Sequence, residues 1–143
     1  MYVAVSACLL GLSCRYDGKS KTNNDLIKKL KNVSVLPVCP EIMGGLKTPR
    51  KPCEIYNKRV ISVDGTDCTA NYKKGAEEVL KLCNMFDCRH AILKANSPSC
   101  GNRYIYDGTF SGKLTVGEGI TAELLRKNGI KVLNEKENIE EVL

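Results

Sequence analysis

Tryptophan is absent and phenylalanine occurs only twice, so few flat side chains are on hand for exposed nucleic-acid bases to stack on. A single histidine rules out metal sites built from several imidazoles, including the pairing of two histidines with a carboxylate around iron. Long apolar runs are missing too. The apolar opening from Tyr2 to Leu12 is interrupted by Ser6 and Gly11, has no basic flank before it and is too short to span a bilayer. Neither a membrane span nor an export signal is expected, and no stretch is biased enough in composition for disorder.

What is present is cysteine, eight of them in 143 residues. An apolar fraction of 43% and a charged fraction of 27% are those of a globular protein. The length suits one domain over residues 1–143, able to bury a core without staples. A chain of this size with no export signal is expected in the reducing cytoplasm, where cysteines point to metal binding or catalysis rather than to disulfides. The net charge of +6 gathers at Lys19 and Lys21, at Lys28, Lys29 and Lys31, and at Lys47, Arg50 and Lys51. It permits an anionic substrate or RNA, and reads first as a solvated lysine-rich surface.

Hydrophobic periodicity predicts strands at residues 2–7, 33–38, 90–93 and 130–133, with a short edge strand at 60–63. Helices are predicted over 24–31 with an Asn23 or Asn24 cap, over 67–86 and over 119–128 with Gly129 as its stop. Residues 40–59, punctuated by Gly44, Gly45, Pro49 and Pro52, read as one long loop. Residues 104–115 read as a hairpin or ordered loop, and a tail helix starts at Asn138. Strands alternating with helices predict a doubly wound, Rossmann-like α/β domain with a mainly parallel sheet. Ligands in such sheets sit beyond the carboxyl ends of the strands, where the strand order switches. Cys8, Cys39 and Cys100 each fall just past a different predicted strand end, so they are expected to converge.

The spacing of Cys8 and Cys14, with five residues between them, matches neither a zinc knuckle nor a ferredoxin run. Three soft thiolates and one histidine favour an iron-sulfur cluster or zinc over magnesium or calcium. Cys83 falls on the apolar stripe of its helix, and Cys53, Cys68 and Cys88 have no strand-end placement, so packing roles are expected for them. Cys14, beside Arg15, stands as a fourth ligand, a mobile ligand or a reactive thiol.

Six blocks then carry a resemblance: Ser6-Ala7-Cys8-Leu9-Leu10-Gly11, Cys14-Arg15-Tyr16-Asp17-Gly18, Val38-Cys39-Pro40-Glu41, residues 44–50 from Gly44 to Arg50, residues 93–101 around Asn96-Ser97-Pro98-Ser99-Cys100, and Tyr106-Asp107-Gly108-Thr109-Phe110-Ser111-Gly112. In that order they resemble the signature blocks of the thiouracil desulfidase family, over nearly the whole chain. The resemblance implies a 4Fe-4S cluster held by Cys8, Cys39 and Cys100, with one iron lacking a protein ligand. It also implies a non-redox reaction that turns a thiolated uracil into uracil and sulfide. Carried over by motif, Glu41 and Ser97 are the acid-base and positioning groups. Glu41 would take a proton from the attacking water, or else pair with Arg50 or a lysine. Ser99 and Arg50 are candidates to bind the pyrimidine, or else to bond the turn backbone and face solvent. The substrate is a small thiolated pyrimidine, with free base, nucleoside and a nucleotide within tRNA all left open. The competing readings are an iron-sulfur or zinc module acting on RNA and an electron-transfer protein with four cysteine ligands.

Overall fold

The computed structural model describes residues 1–143. Its central sheet holds β1 (Val3–Ser6), β2 (Val35–Val38), β5 (His90–Leu93) and β8 (Lys131–Asn134) in the order β2-β1-β5-β8, every pair parallel. β1 is buried along its whole length, and its alternation sorts the core into two layers. Val3 and Val5 join Ile92 and Leu133 on one face, under Leu26 and Leu30 from the helical region that includes α1 (Asn24–Lys29) and under Ile139. Ala4, Ala91 and Leu93 face the other way, against Val79 and Cys83 of α3 (Thr69–Met85) and Ala122 and Leu125 of α4 (Ile120–Lys127). A sheet covered on both faces by helices is the doubly wound arrangement expected from the sequence.

Local signals explain the element ends. Asn23 Oδ1 accepts the Leu26 N–H at 3.0 Å and caps α1. Gly129, with φ of +82°, ends α4 as Ile130 N–H returns to the Leu125 carbonyl at 3.0 Å.

Three expectations need correction. Residues 40–59 are not one loop: they hold the single-turn helix α2 (Pro40–Met43) and the strand β3 (Cys53–Tyr56). The strand near Val60 is no edge of the main sheet; β4 (Arg59–Ser62) pairs antiparallel with β3 in a separate hairpin. The tail makes only a short 3-10 turn, Glu140–Val142. The predicted hairpin after residue 103 is present as β6 (Tyr104–Tyr106) and β7 (Leu114–Val116). No helix is long and apolar enough to cross a membrane.

α2 lies directly on α3. A Cβ on Gly44 would sit 2.0 Å from the Asn71 carbonyl oxygen, and one on Gly75 1.9 Å from the Pro40 carbonyl oxygen, so both positions need glycine. Asn71 Nδ2 also donates to the Gly44 carbonyl at 2.9 Å. This contact fixes the short helix that follows Cys39.

Candidate active site

The sheet order reverses at β1, which sends its successors to either side, and the strand ends there open into a cavity of about 490 Å³. β1 turns into a one-turn 3-10 helix, Ala7–Leu10, that carries Cys8. Cys39 follows β2 immediately and is the N-cap residue of α2. Cys100 stands in the turn after β5, where its N–H bonds Ser97 Oγ at 2.8 Å and Gly101 N–H bonds the Ser97 carbonyl at 2.9 Å. The first amides of α4 grip the same turn from outside: Ile120 N–H reaches the Pro98 carbonyl and Thr121 N–H the Ser99 carbonyl, both at 2.9 Å. The three cysteines expected to converge line one cavity, and Cys14 lines it with them. Cys14 and Cys39 are neighbours, with Cys39 Sγ 3.8 Å from the Cys14 carbonyl.

The thiols act on one another. Burial pushes the Cys8 thiol up to about 12, and the nearby Cys100, Cys14 and Cys39 push the same way against Lys94. Cys14 is raised to about 12 by burial and by Cys39, with Arg50 opposing. Cys100 rises to about 11 through burial, opposed by the Ser6 and Ser99 hydroxyls, each 3.5 Å from its sulfur. Such a set holds its protons until a cationic centre displaces them, which is the behaviour of thiolate metal ligands. No three His, Cys, Asp or Glu side chains close around a single metal ion. Soft thiols brought from three separate strand ends to one cavity are a donor set that fits a thiophilic group such as an iron-sulfur cluster.

Glu41 is fixed at both oxygens. Oε1 accepts Arg50 Nε at 3.0 Å, and Oε2 accepts Ser99 Oγ at 2.9 Å. Arg50 is nearly buried, and its other N–H groups reach the Lys47 carbonyl, Thr48 Oγ1 and the Cys14 carbonyl. With four of five donors occupied, a single Nη2 N–H is left for a ligand. The Glu41–Arg50 pairing weighed from the sequence is thus present. Ser99, rather than Ser97, touches Glu41, while Ser97 Oγ accepts the Cys100 amide and lies 3.3 Å from Ser99 Oγ.

Three groups that line the cavity were not named as site residues from sequence. Ser6 Oγ accepts Lys94 N–H at 2.9 Å besides donating to Cys100; a lone polar residue inside a buried strand was its only signal. Cys53, in β3, lines the cavity with its thiol raised to about 12, mainly by burial. Tyr72 belongs to the buried stripe of α3, yet its hydroxyl end faces Glu41 and Cys53 and its proton loss is pushed far upward, chiefly by burial. A tyrosine on an apolar stripe brings a hydroxyl that must find a partner, and that was the readable hint. Cys83, as expected, is fully buried core.

The family model for 2-thiouracil desulfurase matches residues 3–137. The chain belongs to the 2-thiouracil desulfurase family. An uncharacterised Bacillus subtilis (strain 168) protein, YbbK, is 38% identical over 145 residues, covering 94% of this chain and 96% of its own. Among solved structures, the 4Fe-4S-dependent thiouracil desulfidase TudS is similar with a TM-score of 0.91 at 45% identity, covering 99% of this chain and 94% of that one. The family and the structural likeness agree with the α/β architecture and with the resemblance read from the six blocks.

Proposed function

We propose that this chain is a 4Fe-4S-dependent desulfidase that removes sulfur from thiolated uracil without net redox change, releasing uracil and sulfide. The observation that carries the reading is the convergence of Cys8, Cys39 and Cys100 in the cavity where Glu41 is clamped between Arg50 and Ser99. The likeness to TudS supports the cofactor, and the family supports the substrate.

The three cysteines would hold the cluster as thiolates. When bound, the cluster would supply a Lewis-acidic, sulfur-seeking iron to polarise the C=S bond. The remaining work falls to the chain. Glu41, two residues after Cys39, takes the proton of the attacking water. Arg50 and Ser99 hold that carboxylate in a single orientation, and a positioned base is worth far more than a mobile one. Ser97 braces the Cys100 amide and presents its hydroxyl to the same space, where it can hand a proton on through Ser99. The free Nη2 N–H of Arg50 is left to hold a ring oxygen of the pyrimidine.

Cys14 favours a second reading, since its buried side chain lies among the other three and offers a fourth thiolate. A four-thiolate centre would suit electron transfer and would not need Glu41. Anaerobic loading with iron and sulfide, followed by a screen of 2-thiouracil, 4-thiouracil, 4-thiouridine and its phosphate without any reductant, separates the two. The desulfidase releases sulfide from at least one of them. A brown protein that is reduced reversibly and releases none is an electron carrier.

A further inference from the structure

One aromatic side chain in the cavity is held at a conformational cost. Phe110 has φ of +55° and is the only aromatic among the five non-glycine residues with positive φ. A bulky residue in the left-handed region is strained, and such strain persists only where the surroundings impose it. Here Glu54 imposes it: Oε1 accepts Gly108 N–H at 3.0 Å and Phe110 N–H at 3.1 Å, tying the loop between β6 and β7 down onto β3. The loop can approach that closely because Gly108 has no Cβ, which would lie 2.8 Å from Ile55 O and from the Tyr56 Cβ.

The strain does not place the ring in the core. Phe110 belongs to none of the three hydrophobic clusters and is 37% exposed, whereas the chain's other phenylalanine, Phe86, packs edge-on against Tyr2 and joins the core. Phe110 lines the same cavity as the three cysteines and Glu41. An exposed ring, held in a costly backbone conformation in the lining of that cavity, is built to meet something flat.

We propose that Phe110 is the stacking face for the pyrimidine ring and a determinant of which flat heterocycles enter the cavity. This rests on the desulfidase reading. Stacking holds the ring equally before and during reaction, so it appears in KM and leaves kcat alone.

The experiment compares cluster-loaded wild type with Phe110→Gly, Phe110→Leu and Phe110→Tyr, using sulfide release from 4-thiouracil, calorimetric binding of uracil and thermal unfolding. Phe110→Gly is expected to raise KM about tenfold to a hundredfold, the usual worth of one aromatic-base stack, with kcat within about twofold. Its Tm should hold or rise by about 2–4 °C, because glycine adopts this φ without strain. Phe110→Leu should behave like Phe110→Gly in KM, and Phe110→Tyr like wild type. An unchanged KM in Phe110→Gly, or a fall in its Tm, would overturn the inference and make the ring a structural anchor. If the wild type releases no sulfide, the functional reading fails by itself. Uracil binding then decides: loss in Phe110→Gly sustains the stacking face, and equal binding, or none in wild type, overturns it.

Discussion

Replacing Arg50 with methionine keeps an unbranched apolar stem and removes the guanidinium, which tests whether charge holds Glu41 in place. Nε lies 3.0 Å from Glu41 Oε1, the two side chains are 9% and 15% exposed, and three further hydrogen bonds leave the same guanidinium. Breaking one partner of a buried pair costs about 3–5 kcal/mol, because the other charge stays buried. Glu41 keeps the Ser99 hydroxyl and some exposure, so the expected loss is about 3 kcal/mol. In urea the midpoint should fall with the slope unchanged, and Tm should drop by about 6–12 °C. A double-mutant cycle with Glu41→Gln isolates the pair, with an expected coupling of about 1.5 kcal/mol or more. Turnover separates roles further. If Glu41 is the base, Glu41→Gln loses about two to four orders of magnitude in turnover while still binding substrate, and Arg50→Met, which keeps a basic carboxylate, loses less. Coupling below about 0.5 kcal/mol, or equal losses of turnover in both variants, would refute the claim that Arg50 positions a catalytic Glu41.

Other sites give shorter tests. Cys8→Ser, Cys39→Ser and Cys100→Ser should each lose iron on anaerobic loading, whereas Cys83→Ala, on the buried face of α3, should keep its iron at some cost in stability; normal loading in any of the first three removes that residue from the ligand set. Cys14→Ala should leave iron content intact but change the Mössbauer spectrum if Cys14 is a resting ligand, and unchanged spectra with unchanged turnover would make it structural. Gly75→Ala would drive a methyl into the Pro40 carbonyl, 1.9 Å away, so a loss of about 2 kcal/mol or more in urea unfolding is expected; near-wild-type stability would mean that α2 can move on α3.

The sheet and the gathering of three cysteines at its strand ends were legible because the signals that place them are local. Short apolar runs marked the four parallel strands, the Asn23-Asn24 pair marked a cap without telling which residue makes it, Gly129 marked a stop, and strand ends alone placed Cys8, Cys39 and Cys100 together. The region between β2 and α3 was not legible. α2 is one turn long and bracketed by Pro40 and Gly44, so it shows no period, and it exists because two glycines let it rest on α3. Val60 has the composition of a strand, but which strand it pairs with depends on Cys53–Tyr56, a segment set among prolines. For Arg50 the sequence left a pyrimidine contact, a pairing with Glu41 and a solvated side chain all open, because its partners, Cys14 and Glu41, come together only in the folded chain. Ser97 and Ser99 are alike in sequence. Only the turn geometry gives one to the Cys100 amide and the other to Glu41.

The central claim is that a cluster on Cys8, Cys39 and Cys100 serves hydrolysis of a C=S bond with Glu41 beside it. It is tested most directly by anaerobic turnover of 4-thiouracil in ¹⁸O-labelled water, with no electron donor and with sulfide and uracil counted together. The account predicts equal amounts of sulfide and uracil, with the label in the uracil oxygen that replaced sulfur. No product from iron-loaded protein, product only when a reductant is added, or uracil without label would contradict it.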